Sequence, residues 1–111
     1  RAMWLMLQQK KADDYVISSG MTYTVKDFIN NAAKYYGFNL VWKGSGLGEK
    51  AIDNKTKKII VKIDKKYFRP TEVNFLYGDS SKAKKILKWS PKTNLNGLIK
   101  KMCEHEIKKY K

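Results

Sequence analysis

Pro70 lies inside Tyr67-Phe68-Arg69-Pro70-Thr71-Glu72-Val73 and is one of only two prolines in 111 residues. Its ring holds its own φ near about −65° and pushes the preceding Arg69 toward extended backbone, which a helix interior does not accept. Residues 69 to 72 are therefore expected to form a turn that separates whatever lies before Arg69 from whatever lies after it. The other proline, Pro91, follows Trp89 and predicts a second break.

The turn also carries chemistry. The chain holds 24 lysines and arginines, of which Arg1 and Arg69 alone are arginines. A single internal guanidinium in a lysine-rich chain points to a place where a flat fork of donors is needed, such as a bidentate grip on phosphate or carboxylate. Turn geometry lets Arg69 and Glu72 face the same side. Two arrangements satisfy this pair. A diphosphate next to a ribose would take the guanidinium on its oxygens and the carboxylate on its vicinal hydroxyls. Alternatively, the two side chains pair with one another, a contact worth ~0 to 1 kcal/mol when exposed.

An apolar content of 42% with 13% aromatic residues is that of a folded chain, and a chain of this length buries roughly two thirds of its unfolded surface. Cys103 is the only cysteine, which excludes an internal disulfide and fits a reducing compartment such as the cytoplasm. With no apolar run of about 20 residues and no export signal, neither a membrane span nor secretion is expected. Net charge is +14 with a pI near 9.9. That makes a basic module binding nucleic acid or another polyanion the alternative reading. The lysines argue against nucleic acid, because they are spread from Lys10 to Lys111 without an arginine cluster, a glycine-arginine repeat or zinc-finger spacing.

Local patterns predict a small α/β module of about four helices with short strands. Ala2 to Leu7 is apolar on nearly every side and predicts a helix buried on more than one face. Tyr15 to Ser18 reads as a short buried strand. Thr24 caps an amphipathic helix, with Asp27 completing a capping box, Val25, Phe28, Ile29, Ala32, Ala33 and Tyr36 on one face, and Gly37 as its stop. Asn39 to Trp42 predicts a strand, residues 44–56 a flexible loop, and Lys57 to Ile63 a half-exposed strand with Ile59, Val61 and Ile63 on one face. Asp79 or Ser80 caps a short helix through Leu87, and Asn94 caps a last helix with Leu95, Leu98, Ile99, Met102, Cys103 and Ile107 as its apolar stripe.

Catalytic machinery is missing. Cys103 and His105 are two apart on a helix and face different directions, so they make no nucleophile and base pair. No set of histidines and cysteines supports structural zinc. Gly44, Gly46 and Gly48 match neither a dinucleotide fingerprint nor a P-loop. Trp42 and Trp89 read as residues that close a core, and no carboxylate pair carries the signs of an acid and base in a cleft.

Tyr67-Phe68-Arg69-Pro70-Thr71-Glu72-Val73, followed by Gly78-Asp79-Ser80-Ser81-Lys82-Ala83 and Leu87-Lys88-Trp89-Ser90-Pro91-Lys92, closely resembles the C-terminal part of the GDP-mannose 4,6-dehydratase family. Ala2-Met3-Trp4-Leu5-Met6-Leu7-Gln8, Asp14 to Ile17, Ser19-Gly20 and Val25 to Phe28 resemble it too, so the likeness runs nearly end to end. The later Gly-Asp-x-x-Lys-Ala and Leu-x-Trp-x-Pro pattern is shared across extended short-chain dehydrogenase/reductases, whereas Tyr-Phe-Arg-Pro-Thr-Glu-Val is the more specific part.

The resemblance implies that residues 1–111 are a single partial domain, the nucleotide-sugar-binding region of an extended short-chain dehydrogenase/reductase whose Rossmann domain is missing. It assigns Arg69 to the diphosphate of GDP-mannose and Glu72 to the ribose, with no catalytic, cofactor or metal residue. NADP would belong to the parent enzyme and not to this chain, which has neither Gly-x-x-Gly-x-x-Gly nor a tyrosine followed four residues later by lysine. The implied parent is a cytoplasmic homo-oligomer. It converts GDP-mannose to GDP-4-dehydro-6-deoxy-mannose by hydride transfer from the hexose C4, loss of water across C5 and C6, and hydride return at C6, on the route to GDP-fucose.

Overall fold

The computed structural model describes residues 1–69 and 76–110, which contain four α-helices and one three-stranded antiparallel sheet. They divide into two compact units, Arg1–Tyr23 with Asn74–Asn94, and Thr24–Val73 with Leu95–Lys111. The small α/β architecture expected from the sequence is observed.

In the first unit, α1 (Ala2–Leu7) has no buried residue, and Met3, Trp4 and Leu7 are 76%, 62% and 81% exposed. The expected burial on several sides is not found. Residues 15–18 join no strand ladder among the described residues, where a buried strand was expected, and Val16 and Ile17 are exposed. The segment is held instead by side-chain bonds to a passing backbone: the Ser18 hydroxyl donates to the Gly78 carbonyl, and the Thr22 hydroxyl donates to that of Leu76 at 3.0 Å.

Helix α3 (Ser81–Leu87) follows, with Ser80 in the capping position and making no side-chain cap bond. The Asp79 carboxylate accepts from the Ser81 N–H at 2.9 Å, and the Ser81 side chain first, then its N–H, holds Asp79 below the ordinary carboxylate range. Ala83 and Leu87 are buried, Ile86 is exposed, and Lys88 ends the helix in the left-handed region at φ 51°. The stop is thus one residue before Trp89.

In the second unit, α2 (Val25–Tyr35) forms as its sequence dictates. Thr24 Oγ1 accepts from the Asp27 N–H at 3.0 Å while the Asp27 carboxylate accepts from the Thr24 N–H at 2.9 Å. At the other end the Phe38 N–H donates to Ala33 O and the Gly37 N–H to Lys34 O, a Schellman closure that needs the positive φ of 76° at Gly37. Val25 is an exception to the expected face, since it is 75% exposed. Helix α4 (Leu95–Lys109) packs on α2. Ala33, Ile99 and Cys103 are buried, while Leu98 and Met102 on the predicted stripe remain half exposed. His105 is exposed, so cysteine in the core and histidine at the surface is the observed arrangement.

Strands β1 (Leu40–Lys43), β2 (Lys50–Asp53) and β3 (Ile59–Lys62) make a meander in that order. The stretch 44–56, expected to be a loop, therefore contains a central strand, preceded by a 3-10 turn at Gly46–Gly48. Its alternation was short and carried by Ala51 and Asp53, the two residues whose side chains face inward. A second correction concerns β3. Ile52 pairs with Ile59 but Ala51 pairs with Val61, which leaves one extra residue in β3. A one-residue slip sends a side chain to the other face, so Ile59 is 53% exposed and does not share the buried face of Val61.

Candidate functional site

Arg69 is positioned by the end of β3. After Lys62 the chain enters a 3-10 turn, Lys65–Tyr67, capped by the Asp64 carboxylate, which accepts from the Lys66 N–H at 2.9 Å. The N–H groups of Tyr67 and Phe68 close the turn on Asp64 O and Lys65 O at 3.1 and 3.3 Å. Phe68 leaves in extended backbone, at φ −70° and ψ 128°, and Arg69 follows with its side chain exposed. Among the described residues the ion pairs are Lys26–Glu49, Lys82–Asp13 and Lys100–Glu104, and none of them uses Arg69. Asp64, the carboxylate that precedes it in sequence, is engaged in capping. Pro70, Glu72 and the expected turn lie outside the described residues, so the second half of the predicted site does too.

Among the described residues of the first unit, two clefts stand out. One of about 270 Å³ is lined by Arg1, Lys88, Trp89, Ser90, Pro91 and Lys92, and one of about 570 Å³ has Lys10, Asp13 and Tyr15 among its walls. Arg69 lines neither. Trp42, by contrast, is structural: its indole N–H donates to Asn30 Oδ1 at 2.9 Å, and Lys26 lies over its ring at 5.1 Å.

Sequence reasoning missed Asp53. This carboxylate is only 2% exposed, and it accepts from the N–H and hydroxyl of Thr56 at 2.9 and 2.8 Å and from the Asn39 N–H at 3.1 Å. Those bonds, led by the Thr56 N–H and then the Asn39 N–H, lower its pKa to about 2. Every partner lies within the unit's own backbone or turn, so the role is structural. The Asp-x-x-Thr spacing at a turn was the available signal.

Gly44, Gly46 and Gly48 do not fit a dinucleotide-binding loop. Gly44, at φ 82°, stands so close to the Gly48 carbonyl that a Cβ there would be 2.6 Å from its oxygen, and the turn leads into β2. No helix N-terminus follows the glycines to receive a pyrophosphate. Among the described residues no group of three or more His, Cys, Asp or Glu side chains is placed to hold a metal ion. No helix among them is long and apolar enough to cross a membrane.

A family model described as GDP-mannose 4,6 dehydratase matches residues 1–102. GDP-mannose 4,6 dehydratase of Dictyostelium discoideum is 45% identical over 96% of this chain and 30% of its own length. The proteins of that name from Homo sapiens and, as dehydratase 1, Arabidopsis thaliana are 39% and 44% identical, again over 96% of this chain and over 28% and 25% of their lengths. The chain thus spans less than a third of these relatives. A match through both units, past the 3-10 turn that precedes Arg69, places the chain in the GDP-mannose 4,6-dehydratase family.

Proposed function

We propose that residues 1–111 act as one nucleotide-sugar-binding region that takes the GDP part of GDP-mannose, with Arg69 on the diphosphate and Glu72 on the ribose hydroxyls. The observation that carries this reading is the exposed guanidinium of Arg69, set at the end of a capped turn within the matched region and joined to no carboxylate among the described residues. An exposed guanidinium can present two parallel N–H donors to a phosphate.

The parent enzyme in this proposal converts GDP-mannose to GDP-4-dehydro-6-deoxy-mannose with loss of water. Its NADP and its proton-transfer residues would come from a Rossmann domain, because Gly44, Gly46 and Gly48 do not fit a dinucleotide-binding loop. The exposed Met3, Trp4 and Leu7 of α1 would pack against that domain. A homo-oligomer in a reducing compartment such as the cytoplasm completes the proposal, in keeping with the unpaired Cys103.

Titration calorimetry with GDP, GDP-mannose and UDP tests it. Preference for the guanine nucleotides, weakened by Arg69→Ala and by Glu72→Ala, is the expected result. Equal binding of all three ligands, indifferent to both substitutions, overturns it.

A further inference from the structure

We infer that the end of the sheet where β1 leaves and β2 enters is a second anion site, formed by Lys43, Lys50 and Lys62 and suited to a di- or triphosphate. The register places Lys43 directly opposite Lys50, and Lys50 directly opposite Lys62. Opposed residues of an antiparallel pair share a face, and adjacent strands are about 4.8 Å apart, so the three lysines leave the backbone side by side along a row about 10 Å long. Like charges directly opposite one another destabilise a sheet, and half-buried Lys50 faces a like charge on both sides.

No carboxylate of the protein relieves this row among the described residues. Glu49, next to Lys50, pairs with Lys26 at 2.5 Å, and Asp64, two residues beyond Lys62, caps the following turn. None of the three ion pairs includes Lys43, Lys50 or Lys62. The row is also continuous with a structured edge, since the Ile63 N–H donates to Glu49 O and extends the β2–β3 pairing past the lysines. A chain of condensed phosphates matches both the length of the row and its sign. A single orthophosphate reaches fewer of the three cations, which predicts affinity that rises with the number of phosphates.

The test is calorimetry of the intact chain with tripolyphosphate, pyrophosphate, orthophosphate, GDP and oligothymidylate, at low and at near-physiological salt. Tripolyphosphate is expected to bind most tightly and orthophosphate least. Lys43→Gln and Lys50→Gln should each weaken tripolyphosphate by about tenfold, Lys50→Arg should restore it, and Lys55→Gln, in the turn at the opposite end of the sheet, should change it less than about twofold. Lys43 is exposed, so its variant remains informative if that of half-buried Lys50 fails to fold.

An equal loss in Lys55→Gln means that net charge alone attracts the anion and overturns the site. Oligothymidylate binding tighter than tripolyphosphate overturns the ligand class. Arg69→Ala separates the two proposals: it should weaken GDP while leaving tripolyphosphate in place. Loss of tripolyphosphate in Arg69→Ala, with no effect of Lys43→Gln or Lys50→Gln, sinks this inference and leaves the Arg69 reading standing.

Discussion

The carboxylate of Asp53 accepts from both the backbone N–H and the hydroxyl of Thr56, at 2.9 and 2.8 Å, and so ties the end of β2 to the turn that leads into β3. The Lys57 N–H reaches the Asp53 carbonyl within the same turn at 2.9 Å, and Lys57 adopts φ 59°.

The pH dependence of stability follows from this arrangement. The folded-state pKa of Asp53 is lowered to about 2, below an unfolded value near ~3.9. The ionised form is therefore favoured by folding. Its contribution is fully present above about pH 4 and is lost as pH falls through the folded pKa. Urea titrations at a series of pH values should show stability declining from pH 4 toward pH 2, with a smaller decline in Asp53→Asn. The same slope in both proteins assigns the acid sensitivity to other groups.

Gly78 passes Ser18 so closely that an added Cβ would lie 2.6 Å from the Ser18 Cβ and 2.8 Å from its hydroxyl oxygen. The obstructing atom is the root of a side chain, which cannot swing away. Gly78→Ala is expected to destabilise by about 1–3 kcal/mol, as overpacking does. Ser18→Ala should lose only the bond to the Gly78 carbonyl, about 1 kcal/mol. The double variant relieves part of the hydroxyl clash but not the Cβ contact, so denaturation midpoints of all three locate the strain.

Removing the N-cap of α2 by Thr24→Ala should lower stability by about 1 kcal/mol. Thr24→Ser, which keeps the hydroxyl that accepts from the Asp27 N–H, should stay close to the parent. Helical circular dichroism during thermal unfolding distinguishes the two. Equal loss in both variants points to the threonine methyl group instead of the cap.

At the proposed nucleotide site, Arg69→Ala should weaken GDP by ~1.5–3 kcal/mol, the range for one charge-assisted hydrogen bond. Arg69→Lys should recover only part of this, because an ammonium cannot make the paired, parallel contacts of the fork. Full recovery by lysine would mean that the site reads charge and not planar geometry.

The two ends of helix α2 were legible in the sequence, since its capping box and its glycine stop act between residues at most five apart, and local bonds need no tertiary partner. A strand at β1 and a buried Cys103 beside an exposed His105 on α4 were legible too, from residue type and helical spacing. Family membership was legible as well, through a contiguous motif around Arg69.

Tertiary structure alone decided the rest. Strand β2 exists because β1 and β3 pair with it on both sides, a nonlocal contribution that glycines and polar residues in 44–56 concealed. The extra residue in β3 moved Ile59 out of the face that strict alternation predicts. Asp53 became a buried anchor only once Asn39, distant in sequence, brought its N–H to the carboxylate. The lysine row has the same origin: Lys43, Lys50 and Lys62 are unremarked singles along the chain, and strand register makes them neighbours. Local chemistry determines caps and turns, but which charges face one another is settled by pairing between strands.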